Sequence, residues 1–198
     1  RTAFAVLFYC LASFSVLKWG KSEGGFRLQG KRIVLCASRK LEEMTALIEK
    51  QGGIAVIRPA QGTVFAKDEA LIEEIRAAIS ETPDWFIFTT GVGVETLTDA
   101  AERGGMKEKW LETIQAANVA VRGYKTVAAL KKIGIPIVAE SDDGTTKGLL
   151  RSLSSFSFAG KRVVVQLHGD TAPTLKQFLL ECGASYTELL PYQHIAPD

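Results

Sequence analysis

A repeated stretch of text is the strongest constraint on how this chain can fold. Residues 30–61 read GKRIVLCASRKLEEMTALIEKQGGIAVIRPAQ, and residues 160–193 read GKRVVVQLHGDTAPTLKQFLLECGASYTELLPYQ. Each copy runs Gly-Lys-Arg, apolar strand, loop, helix, glycine, strand, then a late Pro and Gln. The shared start and the late Pro and Gln favour duplication of a βαβ unit over chance likeness. One βαβ unit has too few layers to bury both faces of its strands, so each copy needs further units. After the first copy come a crossing, the segment DWFIFTTGVGVETL and two more βα units. After the second copy the sequence stops at Asp198. If the two halves are equivalent, the sequence is expected to be truncated at its C-terminus.

The rest of the text alternates strand and helix. Ile33 to Ala37 is an apolar strand, and Leu41, Met44, Leu47 and Ile48 follow at helical spacing until Gly52-Gly53 stops the helix. Ile54 to Ile57 is the next strand. A helix carrying Leu71, Ile72, Ile75 and Ile79 ends at Pro83, before the strand Trp85 to Phe88. Helices with Val94 and Leu97, and near Trp110 to Ile114, precede the strand Val119 to Val121. Then come helix Thr126 to Ile133, strand Ile135 to Ala139, helix Thr145 to Leu153, and strand Val163 to Leu167. Pro173 suits the first position of a helix running to Cys182, and Tyr186 to Leu190 is the last strand. Strands alternating with helices predict parallel sheets covered on both faces.

Composition narrows the function. The formal net charge is +2, and the basic residues are mixed with acids, which gives no field for nucleic acid. Cys10, Cys36 and Cys182 are far apart and the two histidines are isolated, so no metal site is expected. Free thiols in a reducing compartment, and hence a cytoplasmic protein, follow. Ala3 to Leu17 is an uncharged apolar run between Arg1 and Lys18. It is short for a membrane span, and no clear cleavage site follows it. Residues 1–29 are therefore expected to lie outside the fold, as an anchor or as foreign sequence. A membrane partner enters only if that leader is genuine.

Four loops follow parallel strands and so share one rim, where α/β proteins bind ligands. Thr89-Thr90-Gly91-Val92-Gly93 offers amides, hydroxyls and two glycines at a helix start, which suits a carboxylate or phosphate. The same loop mimics a dinucleotide fingerprint, but Thr96 stands at the third glycine position, so NADP binding is not expected. Arg122-Gly123-Tyr124-Lys125-Thr126 is the second turn, with Thr126 placed to cap a helix. Asp143-Gly144-Thr145-Thr146 and His168-Gly169-Asp170 are the third and fourth. No nucleophile–base pair is evident, and two isolated histidines, His168 and His194, make no triad. Tyr192 follows the last strand, where packing is the commoner role of a tyrosine.

Taken together, DWFIFTTGVGV, VAVRGYKTVAALKKIGI, DDGTTKGLL, GKRVVVQLHGD and LLPYQHIAP resemble, in order and spacing, the uroporphyrinogen-III synthase family over residues 30–198. The resemblance implies two flavodoxin-like α/β lobes with parallel sheets, joined by two linker strands. Residues 30–65 would be the opening βαβ of lobe 1 and the first crossing. Residues 66–191 would form lobe 2, with a five-stranded parallel sheet, and residues 192–198 the return crossing. Residues 30–61 would be poorly covered.

The reaction implied is that of a hydro-lyase of heme biosynthesis. It cyclises hydroxymethylbilane with inversion of ring D and loss of water, through an azafulvene and a spiro intermediate. It needs no metal or cofactor. The protein would act as a monomer on this small molecule alone. Thr89 and Thr90 match the family's Thr-Ser turn, Thr126 its capping threonine and Tyr192 its linker tyrosine. Tyr192 is thereby expected to donate a proton to the departing hydroxyl. The expected substrate contacts are Ser38, Arg39, Thr89, Thr90, Gly91, Val92, Arg122, Gly123, Lys125, Thr126, Thr145, His168 and Gly169. Two departures stand out: Thr90-Gly91 replaces the commoner Ser followed by Pro or Asn, and Arg122 replaces a small apolar residue. They keep open a non-catalytic ligand-sensing relative of the synthase. The NADP-dependent enzyme is the remaining alternative.

Overall fold

A computed structural model of the chain describes residues 5–7, 28–37, 40–60, 62–169 and 171–195. The elements begin with β1 (Ala5–Leu7), β2 (Arg32–Leu35), α1 (Leu41–Lys50), β3 (Ile54–Ile57) and β4 (Gly62–Phe65). They continue with α2 (Asp68–Glu81), β5 (Trp85–Phe88), α3 (Gly91–Arg103), α4 (Lys107–Ala116) and β6 (Asn118–Val121). Then follow α5 (Tyr124–Lys132), β7 (Ala139–Glu140), α6 (Thr146–Leu153), β8 (Arg162–Gln166), α7 (Pro173–Glu181), β9 (Ser185–Leu189) and β10 (Tyr192–Ile195). Two compact units emerge: Val64–Gln193, and Arg1–Thr63 with His194–Asp198. β4 and β10 pair with each other in a two-stranded sheet.

The Val64–Gln193 unit is built on a five-stranded parallel sheet in the order β7-β6-β5-β8-β9. All four residues of β5 are buried, as a central strand covered on both faces requires. Its side chains alternate between two cores. Phe86 and Phe88 join Leu71, Ile75, Leu97, Trp110 and Leu130 of helices α2 to α5. Trp85 and Ile87 join Leu149 and Leu153 of α6 and Leu175 and Leu179 of α7. The sheet is thus the middle of three layers. Trp110 meets Phe86 edge-on, with ring centroids 5.4 Å apart. In α2 the buried residues Leu71, Ile75 and Ala78 fall on one helical stripe.

The strand order carries a second message. Counted from the repeat, with β8 and β9 taken first, the order is the flavodoxin-like 2-1-3-4-5. The topological switch point therefore lies between β8 and β5, where ligands of such sheets bind. Phe88 pairs with Gln166 at the carboxyl ends of these strands.

The other unit holds the parallel sheet β1-β2-β3. Ile33, Leu35 and Ile48 form its small core, with Leu28, Leu41, Met44 and Ala55 packed against them. Leu47, Ile54 and Ile57 remain exposed. The two copies of the repeat share backbone detail. Gly30 N–H donates to the Gly52 carbonyl as Gly160 N–H does to that of Gly183, each at 2.9 Å. Ile54 N–H donates to Lys31 as Ser185 N–H does to Lys161. All four of these glycines have positive φ, between 67° and 78°, a backbone region that glycine enters without a Cβ clash.

Three expectations are corrected. Residues 1–29 do not all lie outside the fold: Ala5–Leu7 pairs with Ile33–Leu35, and Leu28 belongs to the small core. An apolar segment beside the open edge of β2 satisfies its unpaired backbone groups. The strand expected at Ile135–Ala139 is reduced to Ala139–Glu140, because Pro136 has no N–H for the ladder. The helix expected from Thr126 starts at Tyr124.

Candidate active site at the switch point

The site is organised by a glutamine that interrupts the apolar strand Val163–Val165. Gln166 is 1% exposed. Its Oε1 accepts from the backbone N–H of Thr89 and of Thr90, both at 3.1 Å. Its Nε2 donates to Thr90 Oγ1 at 3.3 Å and to the Leu167 carbonyl. The Thr89 hydroxyl donates to the Gln166 carbonyl at 2.8 Å. The side chain thus ties the turn after β5 to the end of β8.

This tie changes the reading of the loop glycines. A Cβ at Gly93 would overlap the Gln166 amide, and one at Gly91 would come within 2.6 Å of the Lys125 carbonyl oxygen. Close packing within the protein is therefore enough to require both glycines. The Thr89 and Thr90 amides, expected to face a ligand, are taken up by Gln166. A dinucleotide pyrophosphate would need the space over the second glycine that this amide fills.

Thr90 caps α3: its Oγ1 accepts from Gly93 N–H at 3.1 Å. The same oxygen lies 2.9 Å from the hydroxyl of Tyr192. Tyr192 is 4% exposed, and its ring packs on Phe65 with centroids 6.0 Å apart.

A cavity of about 160 Å³ is lined by Thr89, Arg122, His168 and Leu149 together with the hydroxyl-bearing Thr146, Thr171 and Thr174. Small-molecule sites usually measure roughly 300–1,000 Å³, so the cavity fits one arm of a larger ligand. Arg122 is half-buried, and burial holds its guanidinium below the ordinary arginine value, with the neighbouring Tyr192 acting against that shift. Among the described residues no carboxylate offsets it. The helices that rise from this rim, α3, α5, α6 and α7, carry no acid in their first turns. In contrast α1, α2 and α4 do. Negative charge at a helix N-terminus is favourable; Asp143 already supplies it at α6, whereas the starts of α3, α5 and α7 have no acid in their first turns.

The other expected residues take different roles. Thr145 caps α6, accepting from Gly148 N–H at 3.0 Å and donating to Asp143 at 2.7 Å. Asp143 is held well below the usual carboxylate range by the Thr145 hydroxyl and by Arg151. Thr126 is not a cap, since Gly123 holds that position; Thr126 sits in the first turn of α5, 1% exposed. Lys125 is exposed, 5.9 Å from the centroid of the Tyr124 ring. Val92 is half-buried in α3, and Gly169 makes an isolated parallel bridge with Gln193. Ser38 and Arg39 lie outside the described residues. Sequence reading missed Gln166, Thr171 and Thr174, and named Thr146 only as part of its turn. The one signal available was a glutamine directly after the apolar run Val163–Val165.

Among the described residues, no group of His, Cys, Asp and Glu side chains is placed to hold a metal ion, and no helix is long and apolar enough to cross a membrane.

The Val64–Gln193 unit is thus a doubly wound parallel α/β lobe with a hydroxyl pair at its switch point. The family model described as uroporphyrinogen-III synthase HemD matches residues 42–198. The chain belongs to the uroporphyrinogen-III synthase family. It is similar to a mutant uroporphyrinogen III synthase of Thermus thermophilus, with 32% identity and a TM-score of 0.73 over 84% of this chain and 63% of that one. The wild-type enzyme of that bacterium is matched over the same shares, at 32% identity and a TM-score of 0.62. Among curated proteins, the uncharacterized protein YjjA of Bacillus subtilis (strain 168) is 53% identical over 174 residues, 88% of this chain and 64% of that protein. The chain thus spans somewhat under two thirds of the length of these relatives.

Proposed function

We propose that the chain carries the tetrapyrrole-cyclising site of a uroporphyrinogen-III synthase, acting on hydroxymethylbilane. The observation that carries this is the Tyr192 hydroxyl held 2.9 Å from Thr90 at the β5/β8 switch point. The linear tetrapyrrole supplies its own nucleophile and electrophile, so the protein needs to hold it folded and to protonate the departing hydroxyl. Tyr192 is the proton donor. As the C–O bond breaks, the pyrrole nitrogen supplies the electron pair and water leaves. Ring D then attacks through its substituted carbon, fragments and recloses inverted. The proton lost when the macrocycle regains its aromatic pyrroles restores the phenol. Arg122, His168 and the threonine hydroxyls around the cavity take a carboxylate arm of the substrate, and the acid-free helix ends favour its charge. Turnover of hydroxymethylbilane to the type III isomer tests this reading, because the uncatalysed closure gives the type I isomer.

A further inference from the structure

We propose that Gln166 is a positioning residue that fixes the direction of the Thr90–Tyr192 hydrogen bond, so that Tyr192 turns its proton away from Thr90. The inference rests on the synthase reading only for its catalytic consequence.

The Gln166 amide has one allowed orientation. Two backbone N–H groups, those of Thr89 and Thr90, converge on one of its ends. Only the oxygen can meet two donors, so the NH₂ end faces Thr90 Oγ1 and the Leu167 carbonyl. Thr90 Oγ1 then receives two N–H donors, Gln166 Nε2 at 3.3 Å and Gly93 N at 3.1 Å. A hydroxyl oxygen has two acceptor lone pairs and one proton. Both lone pairs are spent, so in the 2.9 Å contact with Tyr192 the threonine is the donor and the phenol the acceptor. The Tyr192 O–H is thereby directed elsewhere. An apolar residue at position 166 would leave Thr90 a lone pair, and the phenol would satisfy itself on it. Accepting a hydrogen bond also favours the phenolate that forms once the proton is given up.

The test uses the full-length protein. Gln166→Glu keeps an acceptor for the two amides but removes the donor to Thr90, which can then donate to the carboxylate. The phenol should turn to donate to Thr90. Infrared spectra with ring-labelled tyrosine should show the C–O stretching band of Tyr192 shifted in this variant. The kcat for the type III isomer should fall about tenfold or more, with KM within about twofold. In a Thr90→Val background the same change should have no further effect on kcat, since the switched hydroxyl is gone. An unshifted band, or independent effects of the two changes, would overturn the assignment. Should Gln166→Glu fail to fold, neutron diffraction from wild-type crystals decides it. Deuterium on Thr90 Oγ1 pointing at Tyr192 upholds the proposal, and deuterium on the phenol pointing at Thr90 overturns it. A shifted band in a protein that makes no type III isomer would overturn the synthase reading and uphold the orientation.

Discussion

The Tyr192 hydroxyl lies 2.9 Å from that of Thr90, although 102 positions separate the two in sequence. The sheet order brings them together: β5 and β8 are neighbours, and the chain returns through β9 to Tyr192. In the proposed reaction this buried phenol gives its proton to the departing hydroxyl; otherwise it packs. Tyr192→Phe keeps the ring on Phe65 and removes the proton. Turnover should fall about 10- to 1,000-fold, up to the typical worth of a general acid, while the thermal midpoint changes little. Loss of fold instead of rate, seen by circular dichroism, would assign Tyr192 to packing.

Arg122 should show the opposite balance of function and stability. A half-buried guanidinium that no carboxylate among the described residues offsets costs folding energy. Arg122→Met should leave stability unchanged or raise it. A charge-assisted hydrogen bond is worth about 1.5–3 kcal/mol, so KM should rise about 10- to 100-fold. Denaturant titration together with steady-state kinetics checks both halves.

Gly91→Ala tests the tight turn. The added Cβ would meet the Lys125 carbonyl oxygen at 2.6 Å, and backbone yields less readily than a side chain. We expect a loss of about 1–3 kcal/mol, the usual range for overpacking, measured by chemical denaturation. Unchanged stability would mean that the first turn of α5 gives way to the added Cβ.

These expectations also mark what the sequence made legible. The alternation of apolar runs and helical stripes sufficed for the parallel sheet, since Trp85–Phe88 and Val163–Val165 read as strands buried on both faces. The repeat pointed to β8 and β9 as counterparts of β2 and β3. The packing role of Gly91 and Gly93 was not legible, because a glycine that admits a ligand and one that admits a neighbouring element look the same in a string. Gln166 was missed because its partners are 76 and 77 positions away. Thr126 was misassigned as a cap because helix starts are weakly marked, and Gly123 takes the position without a side-chain bond.

The N-terminus of α6 should respond to acid. Asp143 accepts from the Thr145 hydroxyl and backbone N–H, from Ser141 and from Arg151. Its carboxyl is therefore held below the ordinary value of 3.8. A depressed folded value means stabilisation that is full above the unfolded pKa and lost as pH falls through the folded one. The thermal midpoint of Asp143→Asn should lie below that of wild type at neutral pH, and the gap should begin to narrow as pH falls below about 4. A gap independent of pH would contradict the carboxylate's role.

The most direct test is the isomer made from hydroxymethylbilane. The full-length wild-type protein should yield uroporphyrinogen III, and Tyr192→Phe should leave mostly the type I isomer from spontaneous closure. A wild-type protein that yields only type I would contradict the account and favour a ligand-sensing role. Full type III production by Tyr192→Phe would remove Tyr192 from the chemistry.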